Sequence, residues 1–193
     1  MTVEAFIVAL LTMVSSTSSD QARANVDGAM AAAVKHPQLS VELLLGVAYV
    51  ESRFDPRALS RIECETDDPK SCTRKTGVWP RTTKPPKARP SWYCGPLQSG
   101  GYVSWEECQK MRADVVYGYE AGARELTIWL DDKRCKSLPD DDRLRCALAG
   151  HNAGNAGVAS YKTLAYVDWV FAARDRVFQF ARYAEQKERS PGT

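Results

Sequence analysis

The sequence predicts one mostly α-helical domain carrying a small hairpin or loop region and a long, cysteine-bearing insertion. Three observations carry this. Apolar residues recur at helical spacing along most of the 193 residues, and no stretch alternates convincingly as a strand. Residues 61–94 are a different kind of text, polar, proline-rich and charged in blocks. Six cysteines, Cys64, Cys72, Cys94, Cys108, Cys135 and Cys146, cluster around that region. The length suits a single domain, and a chain of this size buries a core without outside help. The longest apolar run, Ala5 to Leu11, is too short to cross a bilayer. A formal net charge of +2 gives no argument for nucleic acid.

The elements follow in order. Residues 1–24 are either a secretory-type segment, with an A-x-A form at Ala22-Arg23-Ala24, or a first helix with Phe6, Leu10 and Met13 on one face. Glu4 and the lack of an early Lys or Arg weigh against the former. Ser15 to Ser19 reads as a turn. Residues 24–35 are Ala-rich and helical, stopped by His36-Pro37. Ser40 is an N-cap for Val41 to Val50, apolar nearly all round and therefore a central helix. Residues 111–130 read as one helix. Another apolar helix starts at Cys146 and is interrupted by Gly150, Gly154 and Gly157; a last amphipathic helix or helix pair spans 161–184. A hairpin is expected around Gly95 to Trp105, and the tail 186–193 is expected to fray.

An even number of cysteines without C-x-x-C spacing predicts disulfides and an oxidising compartment. Local pairing is expected: Cys64–Cys72, Cys94–Cys108 and Cys135–Cys146. With only two histidines, His36 and His151, far apart, no metal site and no cofactor are expected, and both are read as structural.

The residue that stands out is Glu51, a carboxylate directly after the all-apolar helix. Such a group is costly unless paired or placed in a cleft, and burial favours the protonated form that a general acid needs. The letters around it, Glu51-Ser52-Arg53-Phe54-Asp55-Pro56-Arg57-Ala58-Leu59-Ser60, closely resemble the E-S-x-F-x-P-x-A-x-S signature of the soluble lytic transglycosylases. Gly95-Pro96-Leu97-Gln98 looks like that family's G-L-M-Q motif. Ala149-Gly150-His151-Asn152-Ala153-Gly154, followed by Val158, is similar to its A-Y-N-A-G…V motif, and Tyr166-Val167 to its late Tyr-Val pair. Asp114 to Leu126 resembles the helix between them. The chain differs in having Pro96-Leu97 for Leu-Met, His151 for Tyr, and 34 residues between Ser60 and Gly95.

The resemblance implies a lysozyme-like fold over residues 25–185 that cleaves peptidoglycan glycan strands. Carried over, Glu51 is the single catalytic acid/base. Ser52 orients the N-acetyl group, Gln98 and Asn152 line the cleft, and Tyr166 hydrogen-bonds the catalytic Glu. One carboxyl then suffices: it protonates the glycosidic oxygen and afterwards takes the C6 hydroxyl proton, leaving a 1,6-anhydro sugar. In the alternative, a hydrolysing lysozyme of goose type, a second carboxylate comes from Glu63, Glu65, Asp67 or Asp68. The rival from another class is a catalytically silent wall-binding or virion structural protein.

Between Thr73 and Pro90 lie six basic residues, Arg74, Lys75, Arg81, Lys84, Lys87 and Arg89, and no acid. With Trp79, Trp92 and Tyr93 interleaved, this half of the insertion reads as a collector for an anionic wall polymer. The expected partner is peptidoglycan, with no nucleic acid and no stable membrane insertion, acting as a monomer. The expected setting is periplasmic, secreted, or a phage lysin meeting a host wall.

Overall fold

The computed structural model describes residues 1–61, 92–100 and 104–190. Over these the chain is mostly helical, with one small sheet. The helices are α1 (Val3–Met13), α2 (Ser19–Lys35), α3 (Val41–Ser52), α4 (Trp105–Ala113), α5 (Val115–Asp131), α6 (Lys133–Lys136), α7 (Asp140–Ala159) and α8 (Ala165–Arg189). The strands β1 (Leu59–Arg61), β2 (Trp92–Cys94) and β3 (Ser99–Gly100) form an antiparallel sheet in the order β1-β2-β3.

Helix α3 begins as its sequence predicts. The Ser40 hydroxyl accepts from the Leu43 amide at 3.2 Å, satisfying one of the orphan donors of the first turn. Its residues Leu43, Leu44, Leu45, Gly46, Val47 and Ala48 are buried, so the middle of the helix is enclosed all round. Each fully buried aliphatic side chain contributes about 1.5–3 kcal/mol of transfer free energy. Helix α3 packs on α8, which supplies Val167, Val170 and Val177, while α5 packs between α2 and α7.

The N-terminal segment is a helix. Phe6, Ile7 and Leu10 of α1 are buried, Met13 packs at the edge of the same core, and α1 lies along α8. Helix α2 starts at Ser19, five residues before the expected position, because Ser18 caps it through the Gln21 amide at 3.2 Å.

The stretch 111–130 is two helices rather than one. Asp114 leaves the helical region (φ −118°, ψ 105°), ends α4 and caps α5 through the Tyr117 amide at 3.0 Å. Asp favours a cap over a helix interior because its short carboxylate competes for backbone amides. The hairpin is β2–β3, centred on Gly95 to Gln98, a few residues earlier than expected. The two ends of the 61–94 segment pair as strands, with Leu59 opposite Cys94 and Arg61 opposite Trp92. Helix α8 continues to Arg189, past the expected fraying point; Glu185 there accepts from the Thr2 amide at 2.5 Å.

Two of the three expected disulfides are present. Cys94–Cys108 ties β2 to α4, and Cys135–Cys146 ties α6 to α7. Cys64 and Cys72 lie outside the described residues.

Helix α7 is kinked at Ala153 and Gly154. Gly154 sits at φ +60°, ψ −142°, a region open essentially to glycine. The chain then folds back so closely that a Cβ on Gly157 would lie 1.8 Å from the Ala149 carbonyl oxygen. The kink ends the straight part of α7 just after His151 and Asn152.

Candidate active site

The site is built around the last turn of α3. Glu51 and Ser52 close the helix, and Arg53 (φ +55°) and Phe54 (φ +65°) then turn the chain through the left-handed region. Two successive non-glycine residues there cost roughly 1–2 kcal/mol each. The surroundings hold them in place. The Phe54 ring is fully buried, and its carbonyl accepts from Gln21 Nε2 at 2.8 Å and Asn25 Nδ2 at 3.0 Å. Asn25, itself fully buried, accepts at Oδ1 from the Tyr119 hydroxyl at 2.9 Å. Helices α2 and α5 thereby clamp the backbone three residues beyond Glu51.

The Gly95–Gln98 turn approaches from the sheet. The Gly95 amide donates to the Ala58 carbonyl at 3.0 Å, and the Ser52 hydroxyl lies 2.8 Å from the Pro96 carbonyl and 2.9 Å from that of Ala48. Ser52 is thus engaged with backbone oxygens. Gln98, buried and at φ +48°, donates from Nε2 to the Gly95 carbonyl at 3.0 Å.

The third element is the end of the straight part of α7. His151 is buried, and its Nε2 meets the Leu97 carbonyl at 3.0 Å, an acceptor that requires a proton on that nitrogen. The same nitrogen lies 3.9 Å from Glu51 Oε1, and Nδ1 lies 3.5 Å from Glu125 Oε1 on α5, within ion-pair distance but without hydrogen-bond alignment. Burial alone would lower the imidazole pKa. The charges of Glu125 first and Glu51 second, with the Leu97 carbonyl, overturn that and push it up to about 9. The protonated form of His151 is therefore favoured where the ring lies between Glu51 and Glu125. Tyr166, at the start of α8, is buried, and burial followed by the Glu51 charge pushes its hydroxyl well above the ordinary range. Among the described residues no group is placed to take a hydrogen bond from that hydroxyl.

The fold draws Glu51, Ser52, Gln98 and Tyr166 from three separate elements, α3, the β2–β3 turn and α8. Asn152 is exposed on α7 beside His151. Glu63, Glu65, Asp67 and Asp68 lie outside the described residues, as does the basic stretch Arg74 to Arg89. Two members of the cluster were not anticipated. His151 was expected to be merely structural, and it faces Glu51. Glu125 was not singled out; its one signal is its spacing, three residues after Gly122 and seven after Gly118 on the buried, small-residue face of α5. His36 meets Thr127 Oγ1 at 3.0 Å where α2 crosses α5.

Among the described residues, no group of three or more His, Cys, Asp or Glu side chains is placed to hold a metal ion, and no helix is long and apolar enough to cross a membrane. Comparison with protein-family models, curated proteins and solved structures gave no match.

Proposed function

We propose that the protein is a peptidoglycan glycosidase of lytic transglycosylase type on a lysozyme-like fold, with Glu51 as its single acid/base. The observation that carries this reading is convergence. Four sequence segments that resemble family motifs, separated by up to 115 positions (51 to 166), meet around one half-buried carboxyl.

In this reading Glu51 donates its proton to the glycosidic oxygen as the bond to C1 of the muramyl residue breaks, and the leaving sugar departs as an alcohol. Glu51, now a carboxylate, is stabilised by the His151 charge at 3.9 Å. It then takes the proton of the C6 hydroxyl as that oxygen closes on C1. The products are an anhydromuramyl end and a regenerated acid. Ser52 braces the Gly95–Gln98 turn against α3, and the buried Tyr166 hydroxyl lies close enough to Glu51 to feel its charge.

Among the described residues the other carboxylate close to His151 is Glu125, and it is engaged with that ring on the side away from Glu51. A hydrolytic mechanism would therefore draw its second carboxylate from Glu63 to Asp68. Mass spectrometry of digested peptidoglycan separates the readings: 1,6-anhydro ends are expected, and reducing ends would assign a hydrolase. No released glycan at all would leave the wall-binding or structural reading. The two disulfides suit an oxidising, extracytoplasmic setting.

A further inference from the structure

Helix α8 buries one side and leaves a long exposed stripe on another. Val167, Val170, Val177 and Ala181 pack into the core. Trp169, Arg176, Phe180, Tyr183 and Lys187, all exposed, follow one another at spacings of seven, four, three and four residues. At 3.6 residues per turn these positions share one side of the helix, over a length of about 27 Å. The paired charges of α8 lie off this stripe: Asp168 meets Arg145 of α7, and Asp175 meets Arg174.

Three features mark the stripe as a docking surface for an anionic partner with an apolar interior. Its rings are turned to water, Trp169 being 62% exposed and Tyr183 67%. At Phe180 and Tyr183 it borders a groove of about 730 Å³ against α1, whose walls include Val8 and Ala184 and whose last α8 residue is Lys187. Its charge has one sign. No acid falls on the stripe or lines the groove, and neither Arg176 nor Lys187 is paired with a carboxylate among the described residues.

We infer that this side of α8 docks the protein on a bilayer surface rich in anionic lipid. Lipid phosphates attract Arg176 and Lys187, whose aliphatic stems cover apolar surface while their charged heads stay among the headgroups. Trp169, Phe180 and Tyr183 settle at the boundary between headgroups and acyl chains, where an amphipathic ring is best solvated. The apolar groove beside α1 then meets hydrocarbon, a contact that a wholly polar acidic polymer does not offer. No described helix is long and apolar enough to cross a membrane, so α8 lies along the surface rather than through it.

Vesicle binding by the full-length protein tests the inference without any use of glycan cleavage, so it stands or falls apart from the catalytic reading. The protein is sedimented with vesicles of phosphatidylcholine alone and of phosphatidylcholine mixed equally with phosphatidylglycerol. Binding is expected to the mixed vesicles only. Each stripe cation lost should weaken it about fivefold, so Arg176→Gln with Lys187→Gln should weaken it about 25-fold. The same charge removed from α6, as Lys133→Gln with Lys136→Gln, should leave binding within about twofold. All four side chains are exposed, so the variants keep the fold. Mixed vesicles with brominated acyl chains should quench tryptophan fluorescence, and Trp169→Phe should remove most of that quenching. No binding to mixed vesicles, equal binding to phosphatidylcholine alone, an α6 variant as weak as the stripe variant, or quenching that survives in Trp169→Phe overturns the assignment. Polyglutamate bound as tightly as the vesicles, with the same loss in the stripe variant, would assign this face to an acidic polymer instead.

Discussion

Behind Glu51, the Phe54 carbonyl receives two side-chain amides and Asn25 receives the Tyr119 hydroxyl, a neutral network with its hydrogen bonds made. On the other side, His151 lies between Glu51 and Glu125, and among the described residues the buried atoms Gln98 Oε1, Ser99 Oγ, His151 Nδ1 and Tyr166 OH have no hydrogen-bonding partner. Buried polar groups are almost always satisfied, and each orphan costs about 1–3 kcal/mol. The difference separates two kinds of work. The rear network fixes where the backbone of the α3 terminus goes. The front cluster leaves buried polar groups under-coordinated.

If that division is right, substitutions at the front change rate and pH dependence, whereas those at the rear change stability first. The largest effect is expected at Glu51 itself. Glu51→Gln keeps the side chain's shape and removes its transferable proton, so glycan cleavage should fall by about 10²–10⁴-fold. The melting temperature should stay within a degree or two. Lysis at a tenth of the wild-type rate or better would remove Glu51 from the acid's role.

The rear network should answer in the opposite currency. Phe54→Ala empties a fully buried ring site beneath two left-handed residues, and a loss of about 3–5 kcal/mol in denaturant unfolding is expected. Asn25→Ala leaves the Tyr119 hydroxyl and one acceptor site of the Phe54 carbonyl without a partner, at about 1–3 kcal/mol. If either variant unfolds as the wild type does, the clamp is not what holds the α3 terminus.

The two regions also differed in how much of them could be read from residues alone. Helix α3 was legible to its cap, because Ser40 and an unbroken apolar run leave few alternatives. Glu51, Gln98 and Tyr166 were legible through motif letters. The rear clamp was not, although Asn25 carries a trace of it: Ala22, Asn25, Ala29 and Ala32 form one buried stripe of α2, and Asn is the polar exception in it. The Glu125–His151 pair was hidden for a deeper reason. Between Arg124 and Leu126, a Glu on an amphipathic helix reads as a solvated charge; only the packing of α5 on α7 turns it toward a histidine 26 residues away. The break at Asp114 was missed because apolar periodicity continues across it, and its capping role emerged only with the amide it binds.

That pair gives the third prediction, in pH. The folded His151 pKa, about 9, lies above its ordinary 6.5, so protonation favours the folded state. The stabilisation is fully present below about pH 6.5 and is lost as pH rises through 9, on the order of 3 kcal/mol in total. In Glu125→Gln the strongest raising charge is gone and burial prevails. The alkaline loss of stability should then shrink and begin at lower pH. An unchanged alkaline loss of stability in Glu125→Gln would make Glu125 a bystander and break the contrast between charged front and neutral rear.

The smallest effect is expected at Ser52, which sits on the border between the two regions. The resemblance assigns its hydroxyl to the sugar's N-acetyl group. The structure places that hydroxyl 2.9 Å from the Ala48 carbonyl and 2.8 Å from the Pro96 carbonyl. A hydroxyl has one proton, so it donates to one of these oxygens at a time, and its lone pairs remain free to accept. As a brace, Ser52 contributes about 0.5–1.5 kcal/mol. Ser52→Ala should lower stability by that amount, leave KM within about threefold, and reduce kcat modestly through a looser Gly95–Gln98 turn. As an acceptor for the N-acetyl N–H, it would instead act on substrate: KM on glycan strands would rise about tenfold with stability little changed. The split between KM and the unfolding midpoint therefore decides on which side of the divide Ser52 belongs. A KM effect without a stability effect would extend the reactive front back onto α3 itself.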